Sequence, residues 1–434
     1  MLATEARKIA VLGAGPMGLA VAYQLAKDGY HPVVFEADDR IGGMAASFDF
    51  DGLWIERYYH FHCTTDAAFL EVLSELGIES KMHWVETKMS YYYQNKAHDW
   101  GNPIALLKFP GLSLLAKLRY GLHVFLSTHR REWRSLDKLE STAWLKSWIG
   151  EEAYEALWRK LLDLKFYSHS QNISAAWTWS RLRRVGRSRY NIFREKLGYL
   201  EGGSDTLLNA LKADIEKNGG EFRLACPVKK VVIRNEMVAG IETPNGFEDF
   251  KKVICTVPVP YLPGILSDLP DSILDLYRGV ENIPIVCVIA KLRKPVSSYF
   301  WLNINDPEMD LPGIIEYTNL SPLDAHIVYA PYYMPADQPK FSQPDQVFLD
   351  DTKKYLQRLN PDLTQEDFIA MRVSRYRYAQ PVYKPGFLES IPSAKLPVRG
   401  LWAADTCYYY PEDRGISESI GFGRQMARDA IRDL

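Results

Sequence analysis

Apolar and turn-forming segments alternate at the start of the chain in the order strand, turn, helix, strand. The short apolar run over residues 8–12 predicts a buried strand, residues 17–28 predict a helix, and residues 31–36 predict a second strand. A glycine-rich turn separates the first strand from the helix. Because both connections are short, the two strands are expected to lie parallel in one sheet, as in a βαβ unit.

The middle of the chain, from residue 66 to about residue 190, changes to the helical period. Apolar side chains three or four residues apart mark two helix faces: Phe69, Val72, Leu73 and Leu76, then Leu115, Leu118, Leu122 and Phe125. Residues 142–165, rich in Trp and Leu, predict a further helix. The Tyr-rich residues 88–96 predict a hairpin between the helices.

The second half of the chain predicts mostly strands. A first group follows a helix over residues 205–218 and covers residues 226–233, 237–242 and 253–258. A second, aromatic-rich group covers residues 285–290, 314–318, 327–333 and 371–378, with one helix over residues 346–359 between its members. An apolar segment over residues 401–405 and a helix from about residue 417 to 432 end the chain. This order predicts an α/β protein, and its 434 residues suit two domains better than one core.

The first turn carries a chemistry of its own, the pattern Gly13-Ala14-Gly15-Pro16-Met17-Gly18. The first glycine permits the tight turn, the second lets the backbone approach a pyrophosphate, and the third lets helix and strand pack closely. The free N–H groups of the helix start would then face the phosphates. Glu36, at the end of the second strand, is placed to accept hydrogen bonds from the adenosine ribose. A glycine turn without a ligand is the alternative, and this context disfavours it.

Composition narrows the class of protein. The formal net charge of −2 provides no basic field for nucleic acid, and the five cysteines include no CxxC pair. The polar N-terminal residues 1–8 do not resemble a signal peptide, and no run of 18 apolar residues occurs. We therefore expect a cytoplasmic protein that binds no metal and no nucleic acid. The sequence leaves its oligomeric state open.

A second glycine pair separates flavin from nicotinamide proteins. Asp39-Arg40-Ile41-Gly42-Gly43-Met44-Ala45 follows the acidic residue, and with it the chain resembles the flavin amine oxidase superfamily. That superfamily includes protoporphyrinogen oxidase, phytoene desaturase, monoamine oxidase and UDP-galactopyranose mutase. In those proteins the second pair passes the pyrophosphate and the flavin edge. The resemblance therefore implies FAD as the cofactor.

Two later motifs extend the resemblance. Cys226-Pro227-Val228-Lys229-Lys230-Val231 is similar to the family strand whose valine backbone contacts adenine. Gly400-Leu401-Trp402-Ala403-Ala404-Asp405, followed by Arg414-Gly415-Ile416-Ser417, resembles the closing motif. There the acid bonds the ribityl–phosphate region, and the helix start points N–H groups at the N1/O2 edge of the flavin. A helix N-terminus stabilises the negative charge of reduced flavin.

Together the motifs predict the cofactor-binding residues Gly13, Gly15, Pro16, Met17, Gly18, Glu36, Ala37, Arg40, Gly42, Gly43, Met44, Ala45, Val228, Asp405, Gly415, Ile416 and Ser417. The implied fold is a split Rossmann-type FAD-binding domain over residues 1–65, 196–262 and 396–434. A substrate domain of mixed sheet plus helical cap would take residues 66–195 and 263–395.

Few side chains are candidates for the chemistry, because flavin itself accepts the hydride. His60 and His62 follow the segment expected near the flavin and could exchange protons, although a structural histidine is the favoured alternative. Lys165 could hold an anionic substrate group or merely end a helix. Tyr376, Tyr378 and Tyr383, with Arg375 and Arg377, lie near a late strand; they either approach the flavin or form one solvated face. His60, Lys165 and Tyr378 are the candidate catalytic residues.

One amphipathic segment, residues 104–126, is followed by basic residues over 129–134, and a second basic stretch covers 181–189. The favoured interpretation is a cap helix packed on the core with a solvated basic end. Peripheral contact with an anionic membrane is the alternative.

Three functions remain open. The leading hypothesis is an oxidoreductase that dehydrogenates a C–N or C–C bond of a small molecule, in a cell-surface glycan or lipid pathway. Arg57 and Tyr58 stand where many amine oxidases carry small residues, which disfavours a simple amine-oxidase pocket. The second hypothesis is a non-redox mutase acting on a nucleotide sugar. The third is a non-catalytic lipid-binding protein on the same fold, which the intact glycine motifs disfavour.

Overall fold

The computed structural model describes residues 7–191 and 194–432. Residues 1–6, part of the polar N-terminus used above to argue against a signal peptide, lie outside the described residues. The strands, in chain order, are β1 (Lys8–Leu12), β2 (His31–Phe35), β3 (Ser47–Phe50), β4 (Leu53–Glu56), β5 (His62–Cys63), β6 (Met82–Thr87), β7 (Met89–Tyr93), β8 (Lys96–Trp100), β9 (Arg189–Asn191), β10 (Arg194–Leu200), β11 (Glu221–Arg223), β12 (Lys230–Arg234), β13 (Met237–Thr243), β14 (Gly246–Asp249), β15 (Val253–Cys255), β16 (Asn282–Leu292), β17 (Trp301–Asn305), β18 (Gly313–Glu316), β19 (His326–Tyr333), β20 (Phe368–Pro381) and β21 (Leu401–Ala403).

The α-helices fall largely between the strands that they connect. They are α1 (Pro16–Lys27), α2 (Ala67–Glu75), α3 (Pro103–Lys108), α4 (Leu114–His129), α5 (Arg134–Asp137), α6 (Ser141–Tyr154), α7 (Lys160–Phe166), α8 (Ala175–Arg187), α9 (Ser204–Lys217), α10 (Leu262–Ile265), α11 (Asp271–Arg278), α12 (Asp345–Leu359) and α13 (Ile416–Arg432).

The first sheet is parallel and has the order β11-β2-β1-β15-β21. Its central strand β1 is buried over four of its five residues, as expected for a parallel strand covered on both faces. Its strands come from segments that are far apart in the sequence, because long insertions precede β11, β15 and β21. The carboxyl ends of β1, β2 and β15 therefore meet at one edge, where ligands of open α/β sheets bind.

Helices α1 and α13 cross closely beside this sheet. A Cβ atom added at Gly423 would lie 2.6 Å from the Met17 carbonyl oxygen, so only glycine permits this approach. Arg424, which is buried, donates to Gln24 and to Glu75 at 2.9 Å each and ties the two helices to α2. The starts of α1 and α13 are thus held in a fixed relation.

The second sheet is mixed and has the order β20-β16-β19-β18-β17-β7-β8. Strands β17 and β7 pair in parallel, whereas the other neighbours are antiparallel. Strand β16 is buried along most of its length, since α12 covers one face through Phe348 and Leu356. Helices α3 to α8 form the cap, with Trp177 and Trp179 of α8 in its core. The predicted α/β class, with a mixed second sheet and a helical cap, is confirmed.

Two local expectations were wrong. The strand predicted over residues 226–233 begins only at Lys230, because Ala225 is in the left-handed region (φ 51°) and Pro227 has no N–H to donate. The amphipathic helix α4 does not bury its apolar face: Leu115, Leu118 and Leu122 are exposed. The helical spacing of the apolar residues predicts the helix correctly, but it does not show which side of the helix faces the core.

Candidate active site

The glycine turn after β1 leaves an open space at the start of α1. Gly13 has φ +97° and donates its N–H to the Phe35 carbonyl oxygen at 2.8 Å, which folds the turn back on β2. A Cβ at Gly18 would lie 1.9 Å from the Gly13 carbonyl oxygen, so the third glycine is needed for packing. A Cβ at Gly15, in contrast, would meet no atom within 4 Å. Empty space in front of free helix N–H groups is where a phosphate would lie.

The second glycine pair packs directly on the first turn. Gly42 has φ +112° and donates its N–H to the Ala14 carbonyl oxygen at 2.8 Å. A Cβ at Gly43 would lie 3.4 Å from the Gly15 Cα atom. Gly43, Met44 and Ala45 line the cavity described below, whereas Gly42 supports the turn from behind.

The Glu36 carboxylate is fixed by backbone groups. Its Oε2 atom accepts the Ala14 N–H at 2.7 Å and its Oε1 atom accepts the Asp38 N–H at 2.9 Å. Each oxygen retains a lone pair for a ribose hydroxyl, and Glu36 lines the cavity. Arg40 pairs with Asp39 at 2.9 Å and lies outside the cavity lining, so its predicted cofactor contact stays a prediction.

Glu36→Gln is expected to weaken FAD binding by roughly ten- to a hundredfold, because a charge-assisted hydrogen bond is replaced and one acceptor becomes an NH₂ group. FAD titration of the apoprotein, followed by quenching of flavin fluorescence, measures the effect. Asp39→Asn is the matched control, since this neighbouring acid pairs with Arg40 outside the cavity. Equal losses in both variants would contradict the ribose contact.

The closing motif reaches the same space from the other side. Asp405 is buried and accepts the N–H groups of Cys407 at 2.8 Å and Val259 at 2.7 Å; burial raises its pKa. Gly415 and Ile416, at the start of α13, line the cavity. Ser417 does not, because its Oγ atom accepts the Phe69 N–H at 3.4 Å and so faces α2.

All three motifs line one cavity of about 1990 Å³. Small-molecule sites occupy about 300–1,000 Å³, so this cavity has room for a dinucleotide and a substrate together. Pro16, Met17, Ala37 and Val228 also line it, as do His60, Lys165 and Tyr378. The structure therefore brings most of the sequence-predicted site residues to one place.

A charged cluster, made of Lys165, Arg181, Asp413 and Arg414, lies within this cavity. Arg181 forms an ion pair with Asp413. Arg414 donates to the Tyr333 hydroxyl at 3.1 Å and to the Ala379 carbonyl oxygen. Two arginines and a lysine face one carboxylate, and the arginines alone outnumber it, so the cluster favours an anionic group on a ligand.

Two influences on the Lys165 amine oppose each other. Its Nζ atom lies over the rings of Trp177 at 5.0 Å and Tyr333 at 5.1 Å, and a desolvated contact of this kind favours the charged form by about 2 kcal/mol. Burial, together with Arg181 and Arg414, lowers its pKa well below the usual value, although Asp413 acts in the opposite sense. Burying a charge costs several kcal/mol, so the neutral amine is favoured.

The two histidines have different surroundings. His60 lines the cavity, and its Nδ1 atom lies 2.6 Å from Glu56 Oε2, while Glu56 Oε1 accepts the Ser204 N–H at 2.6 Å. The His60 ring is thereby fixed at the cavity wall. His62 stacks on Phe69 at 3.7 Å, and burial lowers its pKa to about 3. His62 therefore stays neutral near pH 7 and does not exchange protons there.

Strand β20 borders the cavity along part of its length. Tyr376 and Tyr378 line the cavity, and Tyr378 packs edge-on against Tyr261 at 5.0 Å. Arg375 and Arg377 are exposed, and Arg375 also lines the cavity whereas Arg377 does not. Tyr383 is buried against Phe387 and Tyr410, outside the cavity lining. This part of the strand therefore borders the cavity, and its predicted approach to the flavin stays a prediction.

Sequence reasoning missed the role of Arg181 and Asp413. The basic stretch over residues 181–189 was interpreted as a solvated end, yet Arg181 pairs with Asp413 and Arg183 lies 3.3 Å from Glu412. Arg184 lies 3.6 Å from the buried Asp66. The acidic residues Glu412 and Asp413, directly before Arg414, were the available signal in the sequence. Only the fold brings them to the basic stretch.

Comparisons with known proteins agree with this geometry. Residues 18–407 match the family described as flavin containing amine oxidoreductase. The 15-cis-phytoene desaturase of Arabidopsis thaliana is 23% identical over 92% of this chain and 75% of its own length. That of Synechococcus elongatus is 22% identical over 64% of each chain. Cyclohexylamine oxidase from Brevibacterium oxydans has a TM-score of 0.71 at 15% identity, covering 98% of this chain and 99% of its own. Reduced UDP-galactopyranose mutase has a TM-score of 0.77 at 16% identity, covering 98% and 96%.

Proposed function

The chain belongs to the flavin-containing amine oxidoreductase family, and from this premise we propose that it dehydrogenates a C–N or C–C bond of a small molecule. The resemblance drawn from the glycine motifs is confirmed by the family match, and FAD is the cofactor. The observation that carries the proposal is the convergence of both glycine turns, the closing motif and the charged cluster on one cavity. A dehydrogenase needs cofactor and substrate groups in such direct proximity.

We propose that the ADP half of FAD lies against the parallel sheet. Gly13, Gly15 and Gly18 would leave room for the pyrophosphate at the start of α1, and Glu36 would accept the ribose hydroxyls. Val228 would contact adenine through its backbone. The corresponding FAD-binding domain comprises residues 1–65, 196–262 and 396–434, and residues 66–195 and 263–395 cover it as the substrate domain.

At the other end, the start of α13 supports the flavin. The N–H groups of the helix start at Gly415 and Ile416 would face the N1/O2 edge, where the positive end of the helix dipole stabilises negative charge. Bound FAD supplies the hydride acceptor at N5. The remaining proton of the substrate needs an acceptor, and the neutral amine of Lys165 is suited to that role. His60 and Tyr378 would position the substrate between them.

The cluster also bears on the substrate. Arg181 and Arg414 outnumber Asp413 even with Lys165 neutral, so a substrate with an anionic group would be held beside the reacting bond. Apolar side chains, among them Leu106, Val124 and Leu161, also line the cap side of the cavity. We propose an amphiphilic substrate with an apolar body and an anionic end, as expected in a glycan or lipid pathway.

Anaerobic mixing of the FAD-loaded protein with candidate substrates tests the reaction. Loss of the oxidised-flavin absorbance, with formation of the C=N or C=C product, is expected, because the hydride leaves the substrate carbon for the flavin. A protein that retains no FAD and stays colourless would instead support the non-catalytic alternative.

A mutase acting on a nucleotide sugar is the second candidate. Arg181 and Arg414 in one pocket would hold a diphosphate, and the solved mutase shares the fold. Turnover of a nucleotide sugar only after prior reduction of the flavin, with no net consumption of reductant, would favour this candidate over dehydrogenation.

A further inference from the structure

Helix α4 presents its apolar stripe to solvent. The exposed side chains of its stripe are Leu114, Leu115, Leu118, Leu122, Phe125 and Leu126, with exposed fractions between 42% and 67%. At 100° per residue these six positions fall within one third of the helix circumference. Exposed apolar patches of this kind mark interaction surfaces in folded proteins.

The inward face of the same helix is small and polar. Ala116, His123 and Ser127 are buried, and the Ser127 carbonyl oxygen accepts the Trp179 indole N–H at 2.9 Å. A Cβ at Gly186 would lie 2.1 Å from the Thr128 Cγ2 atom, so α4 and α8 are in close contact. Because α4 is firmly packed through this polar face, the exposed leucines are a property of the fold.

Helix α3 enlarges the surface. Its Ile104 and Leu107 are also exposed, with fractions of 51% and 56%. Lys117 of α4 donates to the Leu107 carbonyl oxygen at 2.7 Å, which ties the two helices together. We call the exposed apolar side chains of α3 and α4 the cap face.

Basic residues predominate around the cap face. Residues 103–131 contain Lys108, Lys117, Arg119, Arg130 and Arg131 and no Asp or Glu. Two acids lie at the margin of the cap face: Glu152, from α6, accepts a hydrogen bond from the Ser113 hydroxyl at 2.6 Å, and Glu132 lies 3.5 Å from Arg130. An apolar stripe between basic residues suits the interface of a bilayer that contains anionic lipid.

The cavity opens at the cap face. Phe125 and His129 are exposed and also line the cavity, so the wall of the cavity reaches solvent at the end of α4. Leu106, Val124 and Leu161 line the passage inward from there. A molecule could therefore pass between the cap face and the charged cluster along apolar side chains.

We propose that the cap face docks on the surface of a bilayer containing anionic phospholipid and sets the cavity mouth against it. Across the described ranges 7–191 and 194–432, no helix has the length and apolarity to cross a membrane. A second copy of the chain is the competing occupant. In a two-fold dimer the basic residues of one cap face would lie against those of the other, and like charges would repel each other. Anionic lipid headgroups would instead attract the same basic residues.

Vesicle flotation with the FAD-loaded protein tests the docking, with phosphatidylcholine vesicles alone or mixed with phosphatidylglycerol. The wild-type protein is expected to float with the mixed vesicles, and added salt is expected to weaken this binding. Leu115→Gln/Leu118→Gln should lower the partition coefficient by about tenfold or more, since two inserted leucines are lost. Neither residue lines the cavity, so the bound flavin should be unchanged.

Leu276→Gln/Leu323→Gln is the matched control, because both leucines are exposed away from the cap face. Lys108→Gln/Arg131→Gln should weaken only the part of the binding that depends on phosphatidylglycerol.

Failure of the wild-type protein to float with either vesicle, or equal binding of the Leu115/Leu118 variant, would overturn the proposal. So would sedimentation showing a wild-type dimer that this variant dissociates, with no vesicle binding. Flotation measures protein and bound flavin, so its outcome is separate from that of the proposed reaction.

Discussion

Lys165→Met is expected to lower kcat/KM by roughly a hundredfold or more while making the protein more stable, since a positioned base contributes about that factor. The variant removes the proton acceptor but fills the same space with an apolar side chain. Burial lowers the pKa of Lys165, so the folded protein holds the amine neutral at a pH where the unfolded chain protonates it. Removing a buried amine should therefore raise Tm by roughly a few degrees.

The activity and the stability of the wild-type protein should both depend on the protonation of Lys165. Below the lowered pKa of Lys165 the amine is protonated and cannot accept a proton, so kcat/KM of the wild-type protein should fall as pH decreases through that value. The residual kcat/KM of Lys165→Met should not show this fall at low pH. Between the lowered and the ordinary pKa the unfolded chain binds more protons than the folded protein, so wild-type stability rises with pH there. The variant should lack that slope.

Lys160 offers a matched control on the same helix. Burial lowers its pKa to about 8, and its Nζ atom finds no hydrogen-bond partner among the described residues. It lies outside the large cavity. Lys160→Met should thus share the gain in Tm but retain kcat/KM and its pH profile. Equal loss of activity in both variants, or full activity in Lys165→Met, would show that Lys165 is not the acceptor.

Gly15→Val is expected to abolish FAD binding, with an affinity at least about a thousandfold lower, and to leave the apoprotein folded. Gly15 has φ −70° and ψ 175°, a conformation that valine adopts readily before a proline. No atom lies within 4 Å of its added Cβ, so the side chain fits the apoprotein but fills the space of the phosphates. An effect of this size corresponds to about 4 kcal/mol. Isothermal titration with FAD, beside a thermal melt of the apoprotein, measures both quantities.

Gly18→Ala should fail in a different way. Its Cβ would overlap the Gly13 carbonyl oxygen at 1.9 Å, so the turn itself must distort and the apoprotein should melt at a lower temperature. Two neighbouring glycines are thus separated by experiment, one needed for the ligand and one for packing. Normal FAD affinity in Gly15→Val would place the phosphates elsewhere.

The parts of the fold that sequence could predict are those set by local chemistry. The first turn needs glycine at residue 13 for its positive φ, and α1 begins at Pro16 as the motif requires. Most residues that the same motifs predict for the cofactor line one cavity, because a backbone that approaches phosphate tolerates few residue types.

What could not be predicted depends on which parts of the chain meet. A helical period shows that Leu115, Leu118 and Leu122 share a face, but it is the same whether that face points to the core or to solvent. Arg181 and Asp413 are 232 positions apart, and only the folded cap makes them partners. The pKa of Lys165 likewise depends on burial and neighbours from distant segments.

The tight crossing at Gly423 has a consequence for cofactor choice. Because α1 and α13 touch there and both begin at the cavity, the relative position of their two N-termini is fixed. A ligand gains from both positive helix ends only if its own length matches their separation. We expect a mononucleotide such as FMN to reach only one of the two helix starts, whereas a dinucleotide could reach both.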